Sequence, residues 1–196
     1  YLPKALDNTR FTQMSYNAPA DATVAQTTDY GNGVIGLSLH QVKAQSYGMG
    51  DIAALQYMYG RSKTAAETGA QTYTFSGADA NKGEFLQTVS NSNASSAIDA
   101  SGVSRSSIID LRAGKYSSIG MRDPYAALAA PFNTAKGWAQ NVHSRVKPTY
   151  TGANNLGIAA GSHIDNAQGG GGNDILVGNN DATNSLSGND GNDTFF

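Results

Sequence analysis

The last 28 residues of the chain hold 17 Gly, Asn and Asp, and this tail restricts the possible folds more than any other stretch. A segment so poor in apolar side chains cannot bury a conventional core. Its composition is nevertheless ordered. Residues 169–177, GGGGNDILV, fit the nonapeptide G-G-x-G-x-D-x-U-x at every fixed position, with U a large apolar residue. Residues 188–196, GNDGNDTFF, fit it again, with Asn189 replacing the second Gly and Phe195 as the apolar residue. Between them GNNDATNSLS (178–187) is a looser copy, one residue longer, with Leu186 at the apolar position. A flexible Gly/Asn linker keeps no such register between Asp and Leu or Phe.

This nonapeptide is the sequence signature of a calcium-binding parallel β-roll. Each copy turns through a Gly/Asn/Asp loop, where glycine permits backbone conformations closed to other residues, and a short strand then points one apolar side chain inward. Turns stacked on the same side offer carboxylates and backbone carbonyls to one another, a set of hard oxygen donors suited to Ca²⁺. The predicted calcium-site residues are Gly169, Gly170, Gly172 and Asp174 in one copy and Gly188, Asp190, Gly191 and Asp193 in the other. The partner of a turn lies two copies on, so Asp174 is expected to share an ion with Asp193. Without the ion the carboxylates repel and little apolar burial offsets chain entropy, so folding of the tail is expected to depend on calcium.

The remainder of the chain limits the function classes. A formal net charge of −2, with Lys and Arg scattered, gives no field for nucleic acid or a membrane surface. The absence of cysteine excludes disulfides and thiolate metal sites. No apolar run approaches a membrane span, and YLPKALDNTR has no apolar stretch of a signal peptide. With no initiator Met, the chain is expected to be a fragment or a processed product. Residues 49–60, MGDIAALQYMYG, predict a helix with Asp51 as N-cap, Gly60 as C-cap, and a buried face of Ile52, Leu55, Met58 and Tyr59. GVIGLSLHQV (33–42) predicts a strand or extended segment, and TYTFSG (72–77), SAIDASG (96–102) and SIIDLRAG (107–114) read as short strands. Residues 121–150 interrupt the β pattern with two expected short helices around Pro131. The fold expected is mainly β with a few helices, divided into residues 1–70 and a β-roll domain over 71–196 that carries a helical insertion at about 121–150.

Taken in order, Met14-Ser15-Tyr16, GDIAALQYMYG, YTFSG, the segment SAIDASGVSRSSIIDLRAGKYSSIG and GIAAGSHIDNAQGGGGND resemble the serralysin family. These are secreted, metzincin-type zinc endopeptidases whose C-terminal half is a β-roll, and the resemblance covers roughly residues 1–120 and 155–196. It implies that Met14 is the Met-turn residue beneath the zinc site and that Tyr16 is the phenol that ligates zinc and stabilises the oxyanion. It also implies a bacterial, extracellular location, export by type I secretion machinery, and a protein or peptide substrate for the parent enzyme. Residues 1–70 then hold the Met-turn and following helix of the protease domain. The family's Asp-rich loop is reduced here to SNASSAID near 92–99, and calcium is not expected there.

A metzincin needs H-E-x-x-H-x-x-G-x-x-H, and this chain has only His40, His143 and His163, none in a helical i, i+4 pair. All three are expected to be ordinary surface or packed residues, so that Tyr16 alone would represent the zinc set. Ca²⁺ is the cofactor expected for this chain and Zn²⁺ for the full-length parent only. The chain by itself is predicted to be inactive as a protease. The alternative is a non-enzymatic, calcium-dependent module of an exported adhesin or bacteriocin-like protein. A lipase finds no support, since no G-x-S-x-G motif is present.

Overall fold

A computed structural model describes residues 2–32, 34–61, 68–77, 84–93, 95–125, 147–180 and 183–196. These residues are mainly β, with several parallel sheets and one helix among them. The chain starts with a hairpin of β1 (Thr23–Asp29) and β2 (Ile35–Gln41), followed by α1 (Met49–Tyr59). Short strands then follow: β3 (Thr72–Thr74), β4 (Gln87–Val89), β5 (Ala97–Asp99), β6 (Ile108–Asp110) and β7 (Tyr116–Ser117). After the segment 126–146 come β8 (Leu156–Ile158), β9 (Asn166–Gln168), β10 (Ile175–Val177), β11 (Ser185–Ser187) and β12 (Thr194–Phe195). The helices expected around Pro131 lie outside the described residues.

Consecutive tail strands do not pair with each other. Each pairs, in parallel, with the strand after next: β9 with β11 and β10 with β12. The chain therefore alternates between two sheets, ordered β11-β9-β5-β3 and β12-β10-β6. The base of both sheets comes from far back in the sequence, because Ala167 on β9 pairs with Ile98 on β5 and Leu176 on β10 pairs with Ile109 on β6. A third sheet, β4-β8-β7, stands beside them.

In a three-residue strand the middle side chain points to one face and its two neighbours to the other. Ile98, Ala167, Ile109 and Leu176, the middle residues of their strands, are buried in one cluster with Leu156, Ile158 and Ile164, and Leu186 packs on it partly buried. Each fully buried Leu or Ile contributes roughly 1.5–3 kcal/mol, which is how strands this short hold together. At the outer end of the stack Phe195 occupies the register of Leu176 and is half exposed. A second cluster of Val24, Val42, Leu86 and Tyr150 joins the hairpin to the sheets. The Tyr150 hydroxyl donates to Phe85 O at 2.6 Å, and the Arg122 guanidinium sits 5.7 Å above its ring.

Two expectations about α1 need correction. Its N-cap is Gly48, with Asp51 at the third helical position accepting from Gly48 N, and a side chain at position 48 would collide with the Phe11 carbonyl. The predicted buried face is not buried: no residue of α1 is, and Leu55, Met58 and Tyr59 are exposed. Apolar residues fall on every side of this helix, so the spacing of Ile52, Leu55 and Tyr59 did not mark a core-facing stripe. The strand expected over 33–42 is present as β2. The strand β1 had no signal of its own, since TVAQTTD lacks large apolar residues apart from Val24.

Candidate functional site

Three turns stack on one side of the sheets: 100–107 between β5 and β6, 169–174 between β9 and β10, and 188–193 between β11 and β12. Their stacking follows from the sheet orders, because each turn connects the same two sheets one layer further out. Gly171 N donates to Val103 O, Ile175 N to Ser107 O and Asp190 N to Gly170 O, so backbone groups tie the layers directly. Such close approach requires glycine. A Cβ on Gly170 would collide with Val103 O, and a Cβ on Gly172 with the Ser106 amide. Gly191, at φ +114°, is in a region that side chains rarely adopt, against the Gly172 carbonyl.

The acidic side chains meet within this stack. Asp174 is 1% exposed; its Oδ1 accepts from Ser107 N and its Oδ2 from Gly170 N, both at 2.6 Å. Its own amide donates to Asp193 Oδ1 at 2.9 Å, which places the Asp193 carboxylate one layer above. The spaces left by Gly169 and Gly188 are taken by the carboxylates of Asp174 and Asp193 respectively, where a Cβ would stand. Asn189 Nδ2 donates to Gly169 O at 2.7 Å. Burial pushes the Asp174 carboxyl above its usual range and Asp193 adds to the shift, against the two backbone N–H donors that favour the ionised form. The stack thus brings two carboxylates together with backbone N–H donors and, among the described residues, no cationic side chain paired to either. The Asp190 side chain is exposed and takes part through its backbone.

On the other side, Asn179 lies over Ile164 and Asp165. Asn179 Nδ2 donates to Ile164 O and to Asp165 Oδ1. Asp165 is buried, and its Oδ2 has no hydrogen-bond partner among the described residues. Sequence reasoning missed this carboxylate, although a signal was present: AGSHIDNAQ (160–168) is a worn copy of the nonapeptide, with Gly161 and Asp165 in place but His163 for a glycine and Ala167 for the large apolar residue.

Met14 and Tyr16 lie far more open. Asp51 builds their turn by accepting from Thr12 Oγ1 and Gln13 N as well as from Gly48 N at the helix start, and Thr12 Oγ1 accepts from Met14 N. The turn then presents Met14 at 83% exposure and Tyr16 fully exposed. Among the described residues no imidazole forms a metal-binding group with them. His40 Nε2 lies 3.6 Å from Glu84 Oε2, itself bound by Arg122, while His163 N donates to Asn91 O in the turn before β9. His143 lies outside the described residues. Among the described residues no three His, Cys, Asp or Glu side chains form a metal-binding group. A zinc centre therefore finds no ligand set among the described residues. A calcium ion asks for something different, a few carboxylates completed by carbonyl oxygens, and the turns that carry Asp174 and Asp193 have that donor chemistry.

No described helix is long and apolar enough to cross a membrane. Neither a known family nor a curated protein matches the chain.

Proposed function

We propose that this chain is the calcium-binding C-terminal portion of a secreted, serralysin-like zinc metalloendopeptidase. Its distal repeats form a β-roll that folds when calcium is supplied outside the cell, after type I export. Zinc chemistry belongs to the parent enzyme, and no catalytic step is assigned to these residues. The observation that carries the reading is the stacking of the Asp193 carboxylate over Asp174 in glycine turns whose backbones bond layer to layer. The orphaned Asp165 oxygen adds a second place where a cation would satisfy a buried carboxylate. The open Met14 and Tyr16 and the all-round apolar helix α1 fit a surface that a further part of the enzyme covers, since such helices are normally enclosed.

The test is a calcium titration of the 196-residue chain, followed by circular dichroism with and without chelator, with bound metals counted in the same sample. A calcium-dependent gain in β signal, with calcium bound and no stoichiometric zinc, is expected. A fold indifferent to calcium would overturn the calcium reading. Stoichiometric, tightly held zinc would show that this chain carries a zinc centre of its own.

A further inference from the structure

The turn before β5 faces its neighbours with chemistry opposite to that of the tail. Residues 90–96, SNSNASS, contain no carboxylate. Asn91 is 1% exposed, and its Nδ2 donates to Gly69 O at 3.1 Å while its Oδ1 accepts from Asn93 N at 2.6 Å. Asn93 repeats the arrangement, with Nδ2 donating to Thr68 O at 2.8 Å and Oδ1 accepting from Ser95 N at 2.9 Å. In both residues the oxygen is committed to a backbone N–H, which leaves the NH₂ to meet the carbonyl. Ser96 Oγ accepts from Gln71 N, and Ser162 Oγ accepts from Asn91 N on the far side.

Converging carbonyls repel unless a donor stands between them. Here the donor is a neutral amide built into the chain, whereas Asp174 and Asp193 bring two carboxylates together that accept backbone N–H groups but pair with no cationic side chain among the described residues. The change occurs at Asp165. Asn91 and Asn93 make their bonds within the layers up to His163; from Asp165 outward each turn adds carboxylates.

We propose that the sheets fold under two regimes. The body from β3 to β8 is metal-independent, with the Asn91 and Asn93 amides holding the place a bound cation would otherwise fill. The segment from Asp165 to Phe196 is a cation-conditional annex assembled on it, a clause that rests on the calcium reading above. The body supplies a ready platform: β5, β6 and the turn 100–107 present the edges and carbonyls to which β9, β10 and Gly171 bond, and that turn, ASGVSRSS, carries no carboxylate. Calcium would then add layers to an existing structure and would not nucleate one.

Hydrogen exchange followed by mass spectrometry on the full chain, in saturating calcium and in chelator, tests this. Chelator is expected to strip protection from 166–196 and leave it in β4, β5 and β8. Loss of protection throughout would leave the calcium reading standing and overturn the two-regime inference. Protection unchanged everywhere would overturn both. The second arm uses the near-isosteric pair Asn91→Asp and Asn93→Asp, together and as the milder Asn93→Asp alone. Carboxylates cannot donate to Gly69 O and Thr68 O, so exchange of β4 and β5 in chelator is expected to accelerate about tenfold or more, the scale of one lost buried hydrogen bond. Unchanged exchange in chelator would show that the amides do not hold the body and would overturn the inference.

Discussion

α1 and β10 make an instructive pair. The helix has eleven residues, most of them apolar, and buries none; the strand has three, and its Leu176 is completely enclosed. Apolar content alone decided neither outcome. Leu176 is enclosed because layers lie on both sides of it, β6 beneath and β12 above, with β5 and β9 across the core. The helix lies beside the sheets, anchored by polar contacts at its first turn, and its apolar side chains form one wall of an open groove of about 570 Å³ with Tyr47, Tyr73 and β4. Burial in this protein is a property of position in the stack.

The sharpest way to break the comparison is a matched pair of truncations. Leu176→Ala is expected to destabilise the calcium-loaded chain by about 2–5 kcal/mol, as for other buried leucines, while Met58→Ala should shift stability by less than about 0.5 kcal/mol. Urea midpoints measured side by side decide it; equal losses would mean that α1 is enclosed in solution. Next in size is Gly170→Ala, which drives a methyl group into Val103 O and is expected to cost about 1–3 kcal/mol, confined to the tail. Exchange protection at 169–196 reads this, and a uniform loss would contradict a separate annex.

On the helix side, Asp51→Asn weakens the acceptor shared by Thr12, Gln13 and Gly48. About 1–2 kcal/mol is expected, with a smaller helical signal at 222 nm and the sheets unchanged. The smallest effect is that of pH in chelator. The Asp174 carboxyl in the folded chain titrates above its ordinary value of 3.8, so between those two values the native state binds more protons than the unfolded one. Whatever residual structure the tail keeps in chelator is accordingly expected to weaken as pH rises through that window and to gain from mild acidification. In calcium the sign reverses, because protons compete with the ion for the carboxylates. Exchange rates at 169–196 at several pH values, with and without calcium, would show the crossing.

Much of the tail was legible because turn chemistry and strand position repeat on a fixed count: Gly170, Asp174, Leu176 and Asp193 all stand where the nonapeptide places them in turns or strands. The mainly β character was legible for the same reason. What could not be read was anything set by distant partners. Nothing in SAIDASG marks it as the layer beneath NAQ, and β7 is too short to carry a pattern. The helix starts at Gly48, close against Phe11 and with Asp51 accepting from its amide, a long-range contact that sequence spacing does not encode. Asp165 escaped notice because its copy of the repeat has lost its large apolar residue. Asn93 lay in a segment read as a deficit of acid and Asn91 was not singled out; the structure shows both amides donating to carbonyls.

The pairing of β9 and β10 with β5 and β6 has a kinetic side. Ile98 must find Ala167 and Ile109 must find Leu176, separations that place the protein among chains of high contact order, whose folding is slow because a long loop closes before any pairing energy is gained. The repeats look autonomous in sequence, yet their first layer is on loan from residues 97–110. A tail severed from that segment would have ligands for calcium and nothing to stack on, so saturating ion alone would not be enough to fold it.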